Sequence, residues 1–316
     1  MGDLAFPLVI PIVHHPDYEF DIGPHVFPTR KYRLVRDRLL AEALISNSDI
    51  LAPQPVTDPD VLLVHTDDYV KKINEGTLSP AELAALEVPF SEGLRNAMWL
   101  CSGGTLLTAA LAMERAVAVH LAGGFHHAFA DHGEGFCLIN DVAVATAILK
   151  RDNLIERAVI IDLDVHHGNG TAAIFAPDPD VFTFSMHQDR NYPGHKPQGS
   201  LDVGLEDGTD DRTYLALLEE HLSTIITRQD AQIVFYLAGA DPYKDDQLGG
   251  LGLTIGGLRR RDEIVYEYVR AAGIPIAVTL AGGYATNTDD TIEIHCNTVR
   301  AARDTFLRPT GAVRML

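Results

Sequence analysis

The sequence predicts an α/β protein: a single three-layer α/β/α domain with a mostly parallel central sheet. Short apolar runs without charged residues alternate along the chain with longer segments of helical periodicity. This β-α alternation is typical of parallel strands that helices cover on both faces. No stretch of linker-like composition divides the chain, so we expect one domain over residues 1–316.

Four apolar runs are expected to form buried strands of this sheet. In chain order they cover residues 116–122, 158–161, 232–240 and 274–279. Each run is short and leads into glycine or polar residues, which is typical of the edge where a strand becomes a loop. Open α/β sheets bind ligands beyond the carboxyl ends of their strands, so we expect these four edges to face one pocket.

Six longer segments have helical periodicity and supply the outer layers. They cover residues 31–44, 93–114, 141–151, 211–228, 257–272 and 291–306. The helix at 257–272 carries the only basic cluster, Arg259 to Arg261, which we interpret as a solvated face.

The strand at 158–161 leads into Asp162, Asp164 and His166, which alternate with two apolar residues. Because successive side chains of a strand point to opposite faces, these three should share one face. Mixed carboxylate and imidazole ligands suit zinc, iron, cobalt or manganese, whereas calcium and magnesium prefer oxygen ligands alone. The segment therefore predicts a transition-metal site, although acids that only cap a turn would give a similar pattern.

The other three strand ends add polar side chains that strengthen this prediction. His126 and His127 follow the first strand, Asp241 follows the third, and Tyr284 follows the fourth after two glycines. Adjacent histidines can divide general acid and general base work when their environments differ. A tyrosine hydroxyl can donate a hydrogen bond to a developing oxyanion.

Motifs spread over nearly the whole chain resemble the zinc-dependent histone deacetylases, a family that includes bacterial acetoin-utilisation and acetylpolyamine amidohydrolases. The matching segments are residues 65–69, 123–128, 135–141, 162–170, 183–187, 192–194, 238–241, 246–250 and 282–284. The resemblance implies an arginase-like fold of the predicted architecture. The segments at 65–69 and 246–250 and the compact length are most similar to the short class IV branch, which suggests tolerance for longer acyl chains.

The resemblance also implies a set of metal ligands. Asp164, His166 and Asp241 would bind Zn²⁺, with Fe²⁺ as the alternative that the same ligands accept. Asp162 would orient His126. A structural K⁺ site would be formed by Asp162, Asp164, His166, Ser185 and Met186, and a second monovalent-cation site by the region of Phe175, Asp178 and Val181.

By the same resemblance, His127 is the general base and acid, His126 stays electrostatic, and Tyr284 is the oxyanion donor. The chain departs from many family members at Asn169, where they have an aspartate that pairs with the second histidine. An amide oxygen accepts the same hydrogen bond without a negative charge, so His127 should be less basic here than in those members.

The resemblance places five residues around a narrow acyl-lysine tunnel. Gly135, Phe136 and Tyr192 would line its walls, Leu248 would lie near its mouth, and Glu87 would be an acidic rim residue. A solvated loop charge is an equal interpretation of Glu87. Relatives selective for acetylpolyamines tend to carry a glutamate where this chain has Leu248, which counts against a polyamine substrate.

Composition limits the possible partners. The formal charge of −19 argues against direct nucleic-acid binding and weakly favours cationic partners. We expect no membrane segment and no signal peptide, and the three scattered cysteines fit a reducing compartment, so we predict a cytoplasmic protein. The oligomeric state is left open.

The resulting functional hypothesis is a zinc-dependent amide hydrolase that removes acetyl or longer acyl groups from lysine side chains. One alternative is a deacetylase of a small acylamine such as an acetylpolyamine. A non-catalytic acyl-lysine binder is another, but it would be expected to lack a ligand or the tyrosine. An arginase-fold ureohydrolase would require two manganese ions and additional bridging aspartates.

Overall fold

An eight-stranded sheet lies at the centre of the computed structural model, which describes residues 9–307 apart from the side chain of Arg228. The strands are β1 (Ile12–Val13), β2 (Ile50–Leu51), β3 (Val117–His120), β4 (Ala158–Asp162), β5 (Val181–Gln188), β6 (Leu201–Leu205), β7 (Ile233–Leu237) and β8 (Ile276–Thr279). Their spatial order is β2-β1-β3-β8-β7-β4-β5-β6, and all neighbours pair in parallel. The predicted α/β class with a parallel central sheet is confirmed.

Helices flank the sheet, and all six predicted ones are present. The helices of the described residues are α1 (Lys31–Ala41), α2 (Asp58–Val61), α3 (Asp67–Glu75), α4 (Pro80–Leu86), α5 (Glu92–Arg115), α6 (Asp141–Arg151), α7 (Asn169–Phe175), α8 (Asp211–Arg228), α9 (Ile255–Ala272) and α10 (Thr288–Phe306). α9 begins two residues before the predicted start because the Thr254 hydroxyl accepts the Gly257 N–H as an N-cap. α1 ends before the predicted end, and Ala43 beyond it has a positive φ of 53°.

The two faces of the sheet form separate parts of the core. Val159 and Ile161 of β4 pack into the cluster that contains residues of α1, α8, α9 and α10, whereas Ala158 and Ile160 pack with residues of α5 and α6. Consecutive strand residues thus enter opposite layers, as the pleat requires. This arrangement is why the strand sequences are apolar throughout instead of alternating.

The four strands expected from the sequence are the four central neighbours β3, β8, β7 and β4. Because they are parallel, their carboxyl ends meet at one edge, and the loops after them converge there. The prediction of one domain over residues 1–316 includes residues 1–8 and 308–316, which lie outside the described part of the chain. Within residues 9–307, no helix has the length and apolar character needed to cross a membrane.

Candidate metal centre and active site

Asp164, His166 and Asp241 come together at the carboxyl ends of β4 and β7. All three are buried, and one potential ligand atom of each lies within 4.8 Å of the others. His166 Nδ1 is 2.9 Å from Asp164 Oδ1 and 3.5 Å from Asp241 Oδ2. The buried Asp241 Oδ2 has no hydrogen-bond partner among the described residues. A carboxylate oxygen left unpaired beside a second carboxylate and an imidazole fits a divalent cation.

Backbone groups from two loops, those after β4 and β8, hold the two carboxylates in place. The Val165 N–H donates to Asp241 Oδ1 at 2.9 Å, and the Gly282 N–H donates to Asp164 Oδ2 at 2.8 Å. A Cβ on Gly282 would collide with Asp241 Oδ2, so only glycine allows this close approach. The glycines before Tyr284 therefore serve the metal site as well as the turn.

Arg261 is the residue on which the sequence interpretation was wrong. It was expected on a solvated face, but its side chain is fully buried. Its Nη1 donates to the carbonyls of Leu163 and Gly239 at 3.2 and 2.6 Å, next to Asp164 and near Asp241 in the chain. The α9 helix turns this position towards the core, where Arg261 also pairs with buried Asp262 at 2.8 Å.

Proton affinities in this cluster are strongly perturbed. Burial and the charge of Asp164 raise the pKa of Asp241 to about 7. Burial opposes the charged form of His166, but its hydrogen bond to Asp164 and the charges of Asp164 and Asp241 outweigh this effect and raise the pKa of His166 to about 10. Two carboxylates buried side by side repel each other when both are ionised, unless positive charge lies close to them. A metal cation would supply that charge.

The adjacent imidazoles of His126 and His127 have opposite environments. His126 Nδ1 lies 2.6 Å from Asp162 Oδ2, whereas His127 Nδ1 lies 2.7 Å from Asn169 Oδ1. Burial lowers the pKa of His126, but the charges of Asp162 and Asp164 outweigh this and raise it to about 9. Burial and the neighbouring His126 and His166 hold the pKa of His127 well below its usual value. One ring is therefore suited to carry charge and the other to accept a proton.

An open cavity of about 200 Å³ leads to this cluster from the surface. The five predicted tunnel residues all line it, and they are Glu87, Gly135, Phe136, Tyr192 and Leu248. His127, His166 and Tyr284 lie along the same cavity, together with Asn191, which the sequence analysis did not single out. The arrangement is a channel with aromatic walls that ends at a metal-binding cluster and a histidine pair.

Comparison with protein families identifies this arrangement. The family model described as "Histone deacetylase domain" matches residues 25–299. The chain belongs to the histone deacetylase family. It is therefore a deacetylase-type hydrolase acting on amide bonds, as the sequence resemblance predicted.

Curated relatives span bacteria and plants. An uncharacterized protein of Picosynechococcus is 43% identical over 94% of this chain and 99% of its own length. Histone deacetylase 2 of Arabidopsis thaliana is 31% identical over 82% of this chain and 70% of its own. The acetoin utilization protein AcuC of Bacillus subtilis is 30% identical over 86% of this chain and 74% of its own.

Solved structures confirm the fold of this deacetylase. An HDAC homologue from Aquifex aeolicus superposes with a TM-score of 0.77 at 24% identity, covering 95% of this chain and 85% of the other. An HDAC homologue complexed with SAHA gives a TM-score of 0.76 at 24% identity, covering 94% and 88%. The eight-stranded parallel sheet is thus the family's arginase-like architecture.

A second, much smaller cavity of about 30 Å³ lies next to the candidate metal cluster of the deacetylase. Phe27, Tyr32 and Ala281 line it, together with residues that also line the open cavity. Next to it lies Lys31, whose buried Nζ donates to the Ala281 carbonyl at 2.7 Å and lies 5.6 Å from the centre of the Tyr284 ring. Burial lowers the pKa of Lys31 to about 8. No sequence motif had indicated Lys31 as a site residue.

The residues expected to bind monovalent cations stay predictions. Ser185 is the register partner of Asp162 across β4 and β5, so two of the residues expected at the first site are neighbours. At the expected second site, the Asp178 carboxylate is 2.5 Å from the Lys150 ammonium.

Proposed function

We propose that this protein removes acetyl or longer acyl groups from lysine side chains of proteins or peptides, using one Zn²⁺ held by Asp164, His166 and Asp241. The observation that carries the proposal is the buried ligand cluster with an unpaired Asp241 oxygen at the end of an aromatic-walled channel. Among residues 9–307 it is the only such cluster of three ligands, which favours one metal over a dinuclear ureohydrolase site.

The donor set fits zinc, and Fe²⁺ is the alternative metal. When bound, the metal would supply Lewis acidity that polarises the acyl carbonyl and acidifies water. We also retain K⁺ as a structural ion near Asp162 and Ser185, supported by their pairing across two strands.

His127 acts as general base and then as general acid in this proposal. Its low pKa keeps it neutral near pH 7, so it accepts a proton from water as the water oxygen attacks the acyl carbon. The same proton passes to the amine nitrogen as the C–N bond breaks, which yields a carboxylate and a free lysine. His126 stays protonated against Asp162 and stabilises the negative charge that develops.

Tyr284 donates its hydroxyl to the developing oxyanion. Burial and the charges of Asp164 and Asp241 hold its pKa well above the usual value, so the phenol keeps its proton at the pH of the reaction. The ring lies on the wall of both cavities, where an acyl group entering the channel would pass it. A hydrogen bond made mainly in the transition state raises the rate more than it tightens substrate binding.

The residues that line the channel support an acylated lysine side chain as the part of the substrate that enters it. Phe136 and Tyr192 provide apolar walls for its methylenes, and Leu248 at the mouth provides no negative charge for a polyamine. Glu87, which also lines the open cavity, would accept an N–H from a peptide backbone.

We also place the protein in the cytoplasm, without direct nucleic-acid contact. Support comes from the net charge of −19 and from three cysteines that are free and buried.

Hydrolysis of a peptide panel tests the proposal. Zinc-loaded protein is assayed on acetyl- through myristoyl-lysine peptides and on acetylpolyamines, beside Asp241→Ala and the control Asp245→Asn. Asp245 is an exposed carboxylate on the same loop, so its loss should leave turnover unchanged.

The wild type and the control should remove the acyl group from acyl-lysine peptides. Asp241→Ala should not, because that variant lacks one of the three metal ligands. Turnover confined to acetylpolyamines would assign the protein to small acylamines. Binding of acyl-lysine without cleavage by zinc-loaded wild type would overturn the catalytic proposal.

A further inference from the structure

Glu134 connects Asn169, the partner of His127, with Tyr192 on the channel wall, although no sequence motif indicated it. Its Oε1 accepts a hydrogen bond from Asn169 Nδ2 at 3.0 Å and another from the Tyr192 hydroxyl at 2.8 Å. The side chain is 22% exposed, and His132 Nε2 lies 3.6 Å from the other carboxylate oxygen. The carboxylate is therefore directed at the partner of His127 and at a ring on the channel wall.

The backbone around Glu134 is held on both sides. Its N–H donates to the Cys137 carbonyl at 3.1 Å, and the Cys137 N–H donates back to the Glu134 carbonyl at 2.9 Å. The next N–H, that of Gly135, donates to the Ala85 carbonyl at 3.1 Å. A tight turn anchored to a second loop gives the carboxylate a fixed position.

The hydrogen-bond capacities of these groups determine their orientation. A carboxylate can only accept, so the NH₂ end of the Asn169 amide must face Glu134. The amide oxygen then faces His127 Nδ1, and because that oxygen can only accept, Nδ1 must carry a hydrogen. In a neutral imidazole with hydrogen on Nδ1, the lone pair lies on Nε2.

We propose that Glu134 is a positioning residue that, through Asn169, holds His127 in the tautomer whose Nε2 is free to accept a proton. The inference rests on the proposed function, in which His127 is the general base. An aspartate at position 169 would impose this tautomer without the help of a second residue, since a carboxylate can only accept a hydrogen bond. An asparagine can present either end to His127, so here a second acceptor must fix the amide.

The positioning role of Glu134 can be separated from substrate binding. Among the described residues that form the wall of the open cavity, Glu134 is absent, whereas His127 and Tyr192 are present. The Tyr192 ring packs edge-on against His127, with ring centres 5.0 Å apart. Loss of the carboxylate should therefore reduce kcat and change KM little.

Glu134→Gln tests the inference, because glutamine keeps the size but can present NH₂ or oxygen to Asn169. The double variant Glu134→Gln/Asn169→Asp is the rescue, since its new carboxylate accepts from His127 Nδ1 and its new amide can donate to that carboxylate. Asp131→Asn is the control, because that exposed carboxylate on the same loop contacts His132. Steady-state kinetics on an acetyl-lysine peptide and ¹⁵N NMR of His127 in metal-free protein are the two measurements.

We expect kcat to fall about 10- to 100-fold in Glu134→Gln, the size of effect seen for other residues that orient a functional histidine. NMR should show a single Nδ1–H tautomer in the wild type, a mixture in Glu134→Gln, and the single tautomer again in the double variant with recovered kcat. The control should match the wild type.

A Glu134→Gln variant with wild-type kcat and an unchanged tautomer would overturn the inference, and so would a folded double variant without rescue. Tyr192→Phe, which keeps Glu134, should retain the single tautomer, so a mixture there would also contradict it. If the wild type hydrolysed no peptide, the proposed function would fail, whereas the NMR measurement would still test the link from Glu134 to His127.

Discussion

His126 and His127 have the same side chain, yet their surroundings give them opposite proton affinities. His126 contacts a carboxylate and its pKa rises to about 9, whereas His127 contacts an amide and its pKa falls. The lower basicity expected of His127 relative to family members with an aspartate partner stays a prediction. At the scale of single residues, the charges beside each ring separate an electrostatic histidine from a base.

The role of Tyr284 can be tested by removing one oxygen. Tyr284→Phe keeps the ring, which lies 6.0 Å from Phe136 between ring centres, and deletes only the hydroxyl. We expect kcat on an acetyl-lysine peptide to fall about 10²- to 10³-fold with little change in KM, as for loss of an oxyanion donor. Tyr268→Phe on α9 is the control, and equal activity of the two variants would disprove the role.

Site residues whose contacts are far away in the sequence could not be predicted. Lys31 was predicted only as the start of a helix, yet its ammonium contacts the carbonyl of Ala281, 250 positions away. Glu134 contacts Asn169 across 35 positions. The strand-end acids and histidines could be found because local patterns carry them, but contacts between loops depend on the order of strands in the sheet.

At the scale of elements, the central strands and the long helices could be predicted from the sequence, but their arrangement could not. The runs that became β3, β4, β7 and β8 were recognisable because each is apolar and ends in polar or glycine residues. Their spatial order places β8 between β3 and β7, and no local pattern encodes that order. The two-residue strands β1 and β2 and the short helices α2 and α7 are too short for periodicity to be visible.

The α9 helix carries a prediction about stability that two neighbouring arginines can test. Arg261 is fully buried and pairs with buried Asp262, whereas the Arg260 side chain is 42% exposed and pairs with surface glutamates. We expect Arg261→Met to lower the free energy of unfolding by about 3–5 kcal/mol, because an unpaired buried carboxylate is left behind. Urea denaturation measures this change.

The matched control for that experiment is Arg260→Met. Loss of its surface ion pairs should change the free energy of unfolding by less than about 1 kcal/mol. If both variants lost the same stability, Arg261 would not be the arginine that supports the ligand-bearing loops.

At the scale of the whole molecule, composition and periodicity were enough for the fold class. Alternating strands and helices require a parallel sheet covered on both faces, and that requirement does not depend on strand order. Converging strand ends then predicted one pocket, and the four central strands do deliver their loops to one edge. Metal identity and acyl length depend on chemistry that backbone geometry does not determine.

We propose above that one metal ion in the Asp164, His166 and Asp241 cluster makes this fold an acyl-lysine hydrolase. The most direct measurement is a titration of metal-free protein with Zn²⁺ while hydrolysis of an acetyl-lysine peptide is followed. We predict that activity rises linearly and reaches its plateau at one zinc per chain, with no activity at any ratio in Asp241→Ala. A plateau at two ions per chain, or a wild-type rate independent of zinc, would contradict the account.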